Sequence, residues 1–594
     1  MTPTARRPTK QPKSFQENQI RNDFVIRIGG DTAIGGVIST GENFTAAAAR
    51  LGFHVFTFRS YPSEIKGGHA WFQVRIANRP VLSLGDGIDV LIAFDQEAYE
   101  NHRKNLNEGA VLIYDSDLVH AEDGSFIHYA APFQRIARKE LDFVRGTNVL
   151  VLGLMAGLFG LPVNSLEELV RRRYKRRAEL VEKNLQALAY GYEYTKQIRK
   201  EDQYYLGTSD HIQRLVMSGN DAITAGALHA GCRFFAGYPI TPASDILESM
   251  ARELPKLGGI CLQSEDEMAA LGSCIGASYG GVKAMTATSG PGFSLMTELM
   301  GLSSMTEIPV VLVDAQRSGP STGLPTKLEQ SDLFHALYGG HGDFPRIVIA
   351  PASVEDCLSR TVHAFNLAEK YQMPVILLSD QSLSHRTQTI EMPEPQHMKV
   401  VGRLQPSDGH DGEGYARYAL TDTGVSPAGI PGVFLHPYVA PGLEHDEHGH
   451  PNLSAEVHEA MTEKRFRKLA SVAKETDTPE WAPRYGHPRA EIGIIGWGAT
   501  EGSIREAVER ALERGYKVAA IHPRILNPLP ETQLRQFIAS VRRVLVPEVN
   551  YQGQFAHHLA AQLGVQPIRL NKIGGVPFTP GEILQKIEEV MSHA

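Results

Sequence analysis

Short apolar runs alternate with stretches of helical periodicity along the 594-residue chain, and most runs end in a polar, glycine-rich turn. The first run, Phe24-Val25-Ile26-Arg27-Ile28, enters Gly29-Gly30. Gly35, Gly36 and Gly41 follow, then a helical pattern through 46–51 and a second run at 54–58. Together these predict a βαβ opening. Runs at 71–76, 90–94 and 110–114 predict further strands, and 164–177 the helix that closes a first α/β domain over 23–200. A charged helical linker over 178–202 leads out of it. Ser218 or Asn220 can cap the next helix, which ends at Gly231. Runs at 233–236, 283–288, 309–314 and 374–379 read as strands of a doubly wound parallel sheet in a second domain over 201–390. Residues 391–489, rich in Pro, Gly and His, predict an irregular linker or interface segment. A third, smaller α/β unit over 490–594 alternates again: a strand from Glu491, a helix over 501–514, a strand over 517–521, a loop over 524–530 and a strand over 543–547. The expected fold is three α/β domains behind a disordered tail over 1–22.

The second domain carries polar turns at the carboxyl ends of its strands, where open α/β sheets bind ligands. One turn is Gly237-Tyr238-Pro239-Ile240-Thr241-Pro242, another is Thr288-Ser289-Gly290-Pro291-Gly292, and a third runs from Gln316 and Arg317 to Thr326. Glycine, proline and short hydroxyls there let a ligand approach the backbone closely. Between the first two lies Gln263-Ser264-Glu265-Asp266-Glu267, opening a run of small apolar residues that reads as a buried helix. A carboxyl group at the mouth of such a helix faces apolar walls, which favour its protonated form. The plainer reading is that both acids merely complement the helix N-terminus. Arg317 can grip a carboxylate with its planar fork, or else pair at the surface.

Composition removes several classes of function. Hydrophobic residues at 42% and charged residues at 21% describe an ordinary globular protein, and a net charge of −8 leaves no nucleic-acid footprint. Cys232, Cys261, Cys274 and Cys357 are scattered without any C-x-x-C, so a zinc or iron–sulfur ligand set is missing and reduced cytosolic thiols are expected. The N-terminal stretch is basic but has no apolar core segment, so it is not a secretory signal. The longest apolar run, 149–163, falls short of the roughly 20 residues that a spanning helix needs. The first glycine turn departs from G-x-G-x-x-G, and the basic cluster Arg171–Arg177 reads as a solvated helix face, with docking of an acidic protein as the alternative. The histidines and acids over 441–450 match no standard metal spacing and read as a loop.

Taken in order, the segments 237–242, 263–267, 286–292 and 316–326 resemble the α subunit of the 2-oxoacid:ferredoxin oxidoreductases. Residues Val546 to Phe555 look like that family's transketolase-type C-terminal domain, and the first domain, with 61–68, like its γ domain, here fused in front of α. The nearest pattern is the fused γ/α type acting on 2-oxoglutarate. The resemblance implies thiamine diphosphate bound at an interface with a β subunit in an (αβ)2 heterotetramer, with the chain active only in that company. The β subunit would supply the diphosphate- and Mg²⁺-binding residues and a [4Fe–4S] cluster. Coenzyme A would take the acyl group and ferredoxin the electrons. Gly85-Asp86-Gly87 is not the diphosphate signature, because no Asn pair follows it.

The resemblance also assigns residues. The acid that hydrogen-bonds the aminopyrimidine falls on Glu265, with Glu267 as the alternative that the sequence does not order. Thr241 and Arg317 would hold the 2-oxoacid carboxylate, while Tyr238, Pro239, Ile240, Thr288, Ser289 and Gly290 would wall the pyrimidine pocket. Two rivals stand beside this reading: a transketolase-like enzyme complete in one chain, which needs the missing diphosphate signature, and a scaffold subunit without chemistry. Pyruvate, branched-chain 2-oxoacids and 2-oxoglutarate are not distinguished by the sequence, nor is the direction of the reaction.

Overall fold

The computed structural model describes residues 22–32, 36–62, 67–122, 124–200, 204–207, 209–394, 398–406, 415–433 and 437–592. Residues 1–21 of the tail expected over 1–22, Gly35 of the first turn, and Ser63, Glu64, Ile65 and Lys66 lie outside the described residues.

The first sheet has eight strands in the order Ile127–Ala131, Leu106–Asp115, Ile88–Ala93, Asp23–Asp31, His69–Ala77, His54–Ser60, Thr387–Ile390, Leu215–Ser218. The expected βαβ opening is split, because His69–Ala77 inserts between the strands on either side of helix Val37–Arg50 and runs antiparallel to both. The last two strands come from beyond residue 200, so the first sheet draws on segments expected in the second domain. Side chains stitch that seam: Thr387 N donates to Thr57 Oγ1 at 2.8 Å and Val55 N to Thr389 Oγ1 at 3.1 Å. Ser218 caps helix Gly219–His229 with a reciprocal Ser218–Asp221 box, which settles the choice between Ser218 and Asn220.

The second sheet runs Ile525–Asn527, Ile347–Ile349, Pro374–Asp380, Val310–Gln316, Ala284–Thr288, Phe234–Gly237, Ile260–Gln263. Its last six strands are parallel. The edge strand Ile525–Asn527 is antiparallel and comes from the expected 524–530 loop of the third unit. The third sheet has five strands and begins at Arg484–Gly486, upstream of the expected start at 490.

The segment expected to be irregular also contains a 22-residue helix, Ala455–Thr476, capped by Ser454. The apolar run at 149–163 supplies the core helix Thr147–Phe159, buried throughout from Val149 to Phe159. No helix of the described residues is long and apolar enough to cross a membrane. The arginines of the basic cluster are exposed. Of the 441–450 histidines, His445 is buried against Tyr418 while His448 and His450 are exposed, so they do not converge.

Candidate active site

Three strand ends of the second sheet meet at one crevice. Strand Phe234–Gly237 delivers the turn that carries Tyr238, Pro239, Ile240 and Thr241. Asn220 Nδ2 holds this turn from behind, donating to Pro242 O at 2.8 Å. Tyr238 and Pro239 are exposed and Ile240 is half-buried, so the turn presents its side chains outward. Strand Ala284–Thr288 delivers the second turn, where Thr288 and Ser289 are fully buried. The Ser289 hydroxyl is already committed to Ala315 O at 2.8 Å, leaving backbone and the bare Gly290 to face a ligand. Strand Val310–Gln316 delivers Arg317, which reaches across to donate from Nη1 to Thr241 O at 2.7 Å. Thr241 and Arg317, expected to act together, are thus brought together. Burial lowers the Arg317 pKa, and the nearby Asp332 opposes that shift.

The two candidate acids differ in burial. Glu265 is exposed, whereas Glu267 is 5% exposed. The local chain explains why. Strand Ile260–Gln263 ends beside Phe234–Gly237, Ser264 N is tied to Gly237 O at 2.9 Å, and the chain bulges outward at Glu265. Asp266 then caps helix Glu267–Tyr279 by accepting from Ala269 N at 2.7 Å. Glu267 becomes the first helical residue and turns inward to the second turn. A Cβ built on Gly292 would lie 2.3 Å from Glu267 Oε1 and 2.2 Å from Thr288 Oγ1, so the missing side chain is what admits the carboxylate. Among the described residues none donates a hydrogen bond to that carboxylate.

The other two domains reach the same loops through the start of the 61–68 segment, the 546–555 segment and their neighbours. From the first domain, Tyr61 O accepts from Thr326 Oγ1 at 2.9 Å, Ser60 Oγ accepts from Lys327 Nζ at 2.7 Å, and the Tyr61 ring lies against His385. Burial and Arg59 push His385 down to about 3, so it stays neutral. From the third domain, Val549 O accepts from Gln330 N at 2.7 Å and Asn550 Nδ2 donates to Gln330 O at 2.9 Å. Gln554 Oε1 accepts from Phe334 N at 2.9 Å. The 546–555 segment therefore grips residues 330–334. Buried Glu548 organises it, accepting from Phe555 N and Ala556 N, and its burial raises its pKa.

Three family models match the chain. A family described as pyruvate flavodoxin/ferredoxin oxidoreductase, thiamine diphosphate-binding, matches residues 225–464. Pyruvate ferredoxin/flavodoxin oxidoreductase matches 26–194, and the core domain II of pyruvate:ferredoxin oxidoreductase matches 490–583. The 2-oxoglutarate oxidoreductase subunit KorA of Mycobacterium tuberculosis is 33% identical over 96% of this chain and 91% of its own. The 2-oxoglutarate synthase subunit KorA of Methanothermobacter marburgensis is 42% identical over 62% of this chain and 97% of its own. Among solved structures, the 2-oxoglutarate:ferredoxin oxidoreductase of Magnetococcus marinus, with 2-oxoglutarate, coenzyme A and succinyl-CoA bound, superposes with a TM-score of 0.90 at 42% identity, covering 96% of this chain and 99% of that one.

Proposed function

The chain belongs to the 2-oxoacid:ferredoxin oxidoreductase family as an α-type subunit, and we propose that it works on 2-oxoglutarate, converting it with coenzyme A to succinyl-CoA and CO2 while ferredoxin is reduced. The relatives named for 2-oxoglutarate, matched over nearly their whole length, support the choice of substrate. The observation that carries the chemistry is Glu267: a buried carboxyl group at a helix start, facing a glycine cradle, with no hydrogen-bond donor of its own. Such a group fits the pyrimidine nitrogen of thiamine diphosphate, the role expected for Glu265.

Thiamine diphosphate, when bound, supplies the carbon nucleophile on which a 2-oxoacid loses CO2. Glu267 holds a proton at its carboxyl oxygen for the pyrimidine ring, in a niche that Thr288 and Gly292 keep dry. The 238–240 turn and Ser289–Gly290 wall the ring, and Thr241 and Arg317 orient the substrate carboxylate with hydroxyl and guanidinium donors. Of this chain's four cysteines, Cys232, Cys274 and Cys357 are buried as free thiols. We assign the electron-carrying [4Fe–4S] cluster, the Mg²⁺ and the diphosphate site to a β partner in an (αβ)2 assembly, as the family resemblance implies.

The test is dye reduction by the assembled complex with thiamine diphosphate, Mg²⁺, coenzyme A and a viologen acceptor. Glu267→Gln is expected to lower kcat by about 10² to 10⁴-fold, and the exposed Glu265→Gln to leave it within about threefold. The reverse order would reassign the acid, and a higher kcat/KM for pyruvate than for 2-oxoglutarate would refute the substrate.

A further inference from the structure

Behind the Arg317 loop, two carboxyl groups bury oxygens that no hydrogen-bond donor meets. Asp314, on strand Val310–Gln316, is fully buried, and neither of its side-chain oxygens has a hydrogen-bond donor. Asp332, at the N-cap of helix Leu333–Tyr338, seals its Oδ2 in the same condition. The two side chains are neighbours, and each perturbs the ionisation of the other. Ionised carboxylates only accept, so a bond between them exists only when one of them keeps a proton. Like charges in a dry contact forbid ionising both, as in other carboxyl pairs that share one proton.

The pair sits where the crevice needs charge control. A Cβ on Gly290 would come 2.8 Å from Asp332 Oδ2 and 3.1 Å from Oδ1, so this carboxyl rests on the first residue after Ser289. Arg317, anchored through Nη1 to Thr241 O, is the cation that Asp332 feels, and Glu329 adds a like charge. Asp332 N is itself fixed by Gln316 Oε1 at 3.1 Å, next to Arg317 in the chain.

We propose that Asp314 and Asp332 hold one proton between them and act as a single negative charge that positions Arg317 and the Ser289–Gly290 turn. The positioning half rests on the function proposed above, and the shared proton does not. The electrostatics agree. Burial, reinforced by the partner acid, lifts Asp314 well above the ordinary 3.8, and burial with Glu329 lifts Asp332 to about 6. The folded pair thus keeps a proton that the unfolded chain has released. Its stabilisation is full below about pH 4 and is lost as the pH rises through about 6 and beyond.

Infrared spectroscopy of the assembled complex tests this, with ¹³C in the aspartate carboxyl carbons. A label-sensitive band of a protonated acid is expected in the wild type at neutral pH and not in Asp314→Asn, where an amide donor replaces the proton. Wild-type KM for the 2-oxoacid, rather than kcat, should climb with rising pH as the pair loses its shared proton, and the variant's KM should lose that climb. Asp332→Asn, with the donor on the other residue, must read the same if Asp314→Asn does not fold. Absence of the acid band in the wild type overturns the shared proton, and KM values that track pH alike in both proteins overturn the positioning role. A complex that reduces no dye with any 2-oxoacid overturns the function together with that role, while the band decides the proton on its own.

Discussion

Gly292 is the residue on which the acid niche depends. With Glu267 Oε1 at 2.3 Å and Thr288 Oγ1 at 2.2 Å from its missing Cβ, alanine must push the carboxyl off its axis or shift the turn. Gly292→Ala is expected to cost about 1–3 kcal/mol by overpacking and to weaken cofactor binding, read by thermal melting and by titration of the complex. Gly276, exposed on the helix that Glu267 opens, has no atom within 4 Å of its Cβ position, so Gly276→Ala should raise the melting point instead. The residue types of the site were legible beforehand. Thr241 and Arg317 meet as their loops suggested, and the turn residues lie at the strand ends. The difference in burial between Glu265 and Glu267 had a readable cause. Asp266 is a good N-cap, and recognising it as one puts Glu267 first in the helix and leaves Glu265 outside.

Helix Ala455–Thr476 shows how an element hides from a hydrophobic pattern. Its buried positions are Met461, Lys464, Arg465, Lys468, Val472 and Thr476, which keep helical spacing while filling half of the face with cations. Arg465 pairs with Glu444, while the two lysines close on Glu307: Lys464 Nζ lies 2.7 Å from Oε1, Lys468 Nζ also bonds the carboxylate, and Arg417 Nη2 from outside the helix donates to Glu307 O at 2.8 Å. One acid among three bases is held ionised, well below its ordinary range, while burial and its neighbours hold Lys468 down to about 7. Glu307→Gln strands buried positive charge and is expected to cost about 3–5 kcal/mol. The sign with pH follows. The folded lysines then bind fewer protons than the unfolded chain, so the penalty should shrink as the pH rises from about 6 to about 9, read from melting curves.

In the whole molecule, the domains exchange strands and buried ions instead of meeting at loops. Arg75 in the first domain bonds Asp23 at 2.8 Å and, across the interface, Glu506 of the third at 2.8 Å, with Ser83 Oγ on the same carboxylate at 2.5 Å. Arg75 is the main interaction that lowers the Glu506 pKa against its burial. Stability from Glu506 is therefore present above its ordinary 4.5 and lost as the pH falls through its depressed folded value. Arg75→Ala should cost about 3–5 kcal/mol near pH 7 and reduce the difference in melting temperature between neutral and acid pH. Strand runs, helix starts and the turns that line the crevice could be read from the chain because they depend on neighbours a few residues apart. So could the family, which is carried by the order of those turns. Strand exchange between domains, Tyr61 against His385, the cations around Glu307 and the meeting of Asp314 with Asp332 could not. Those contacts join distant segments, and packing chooses them by shape, burial and charge that no local pattern records.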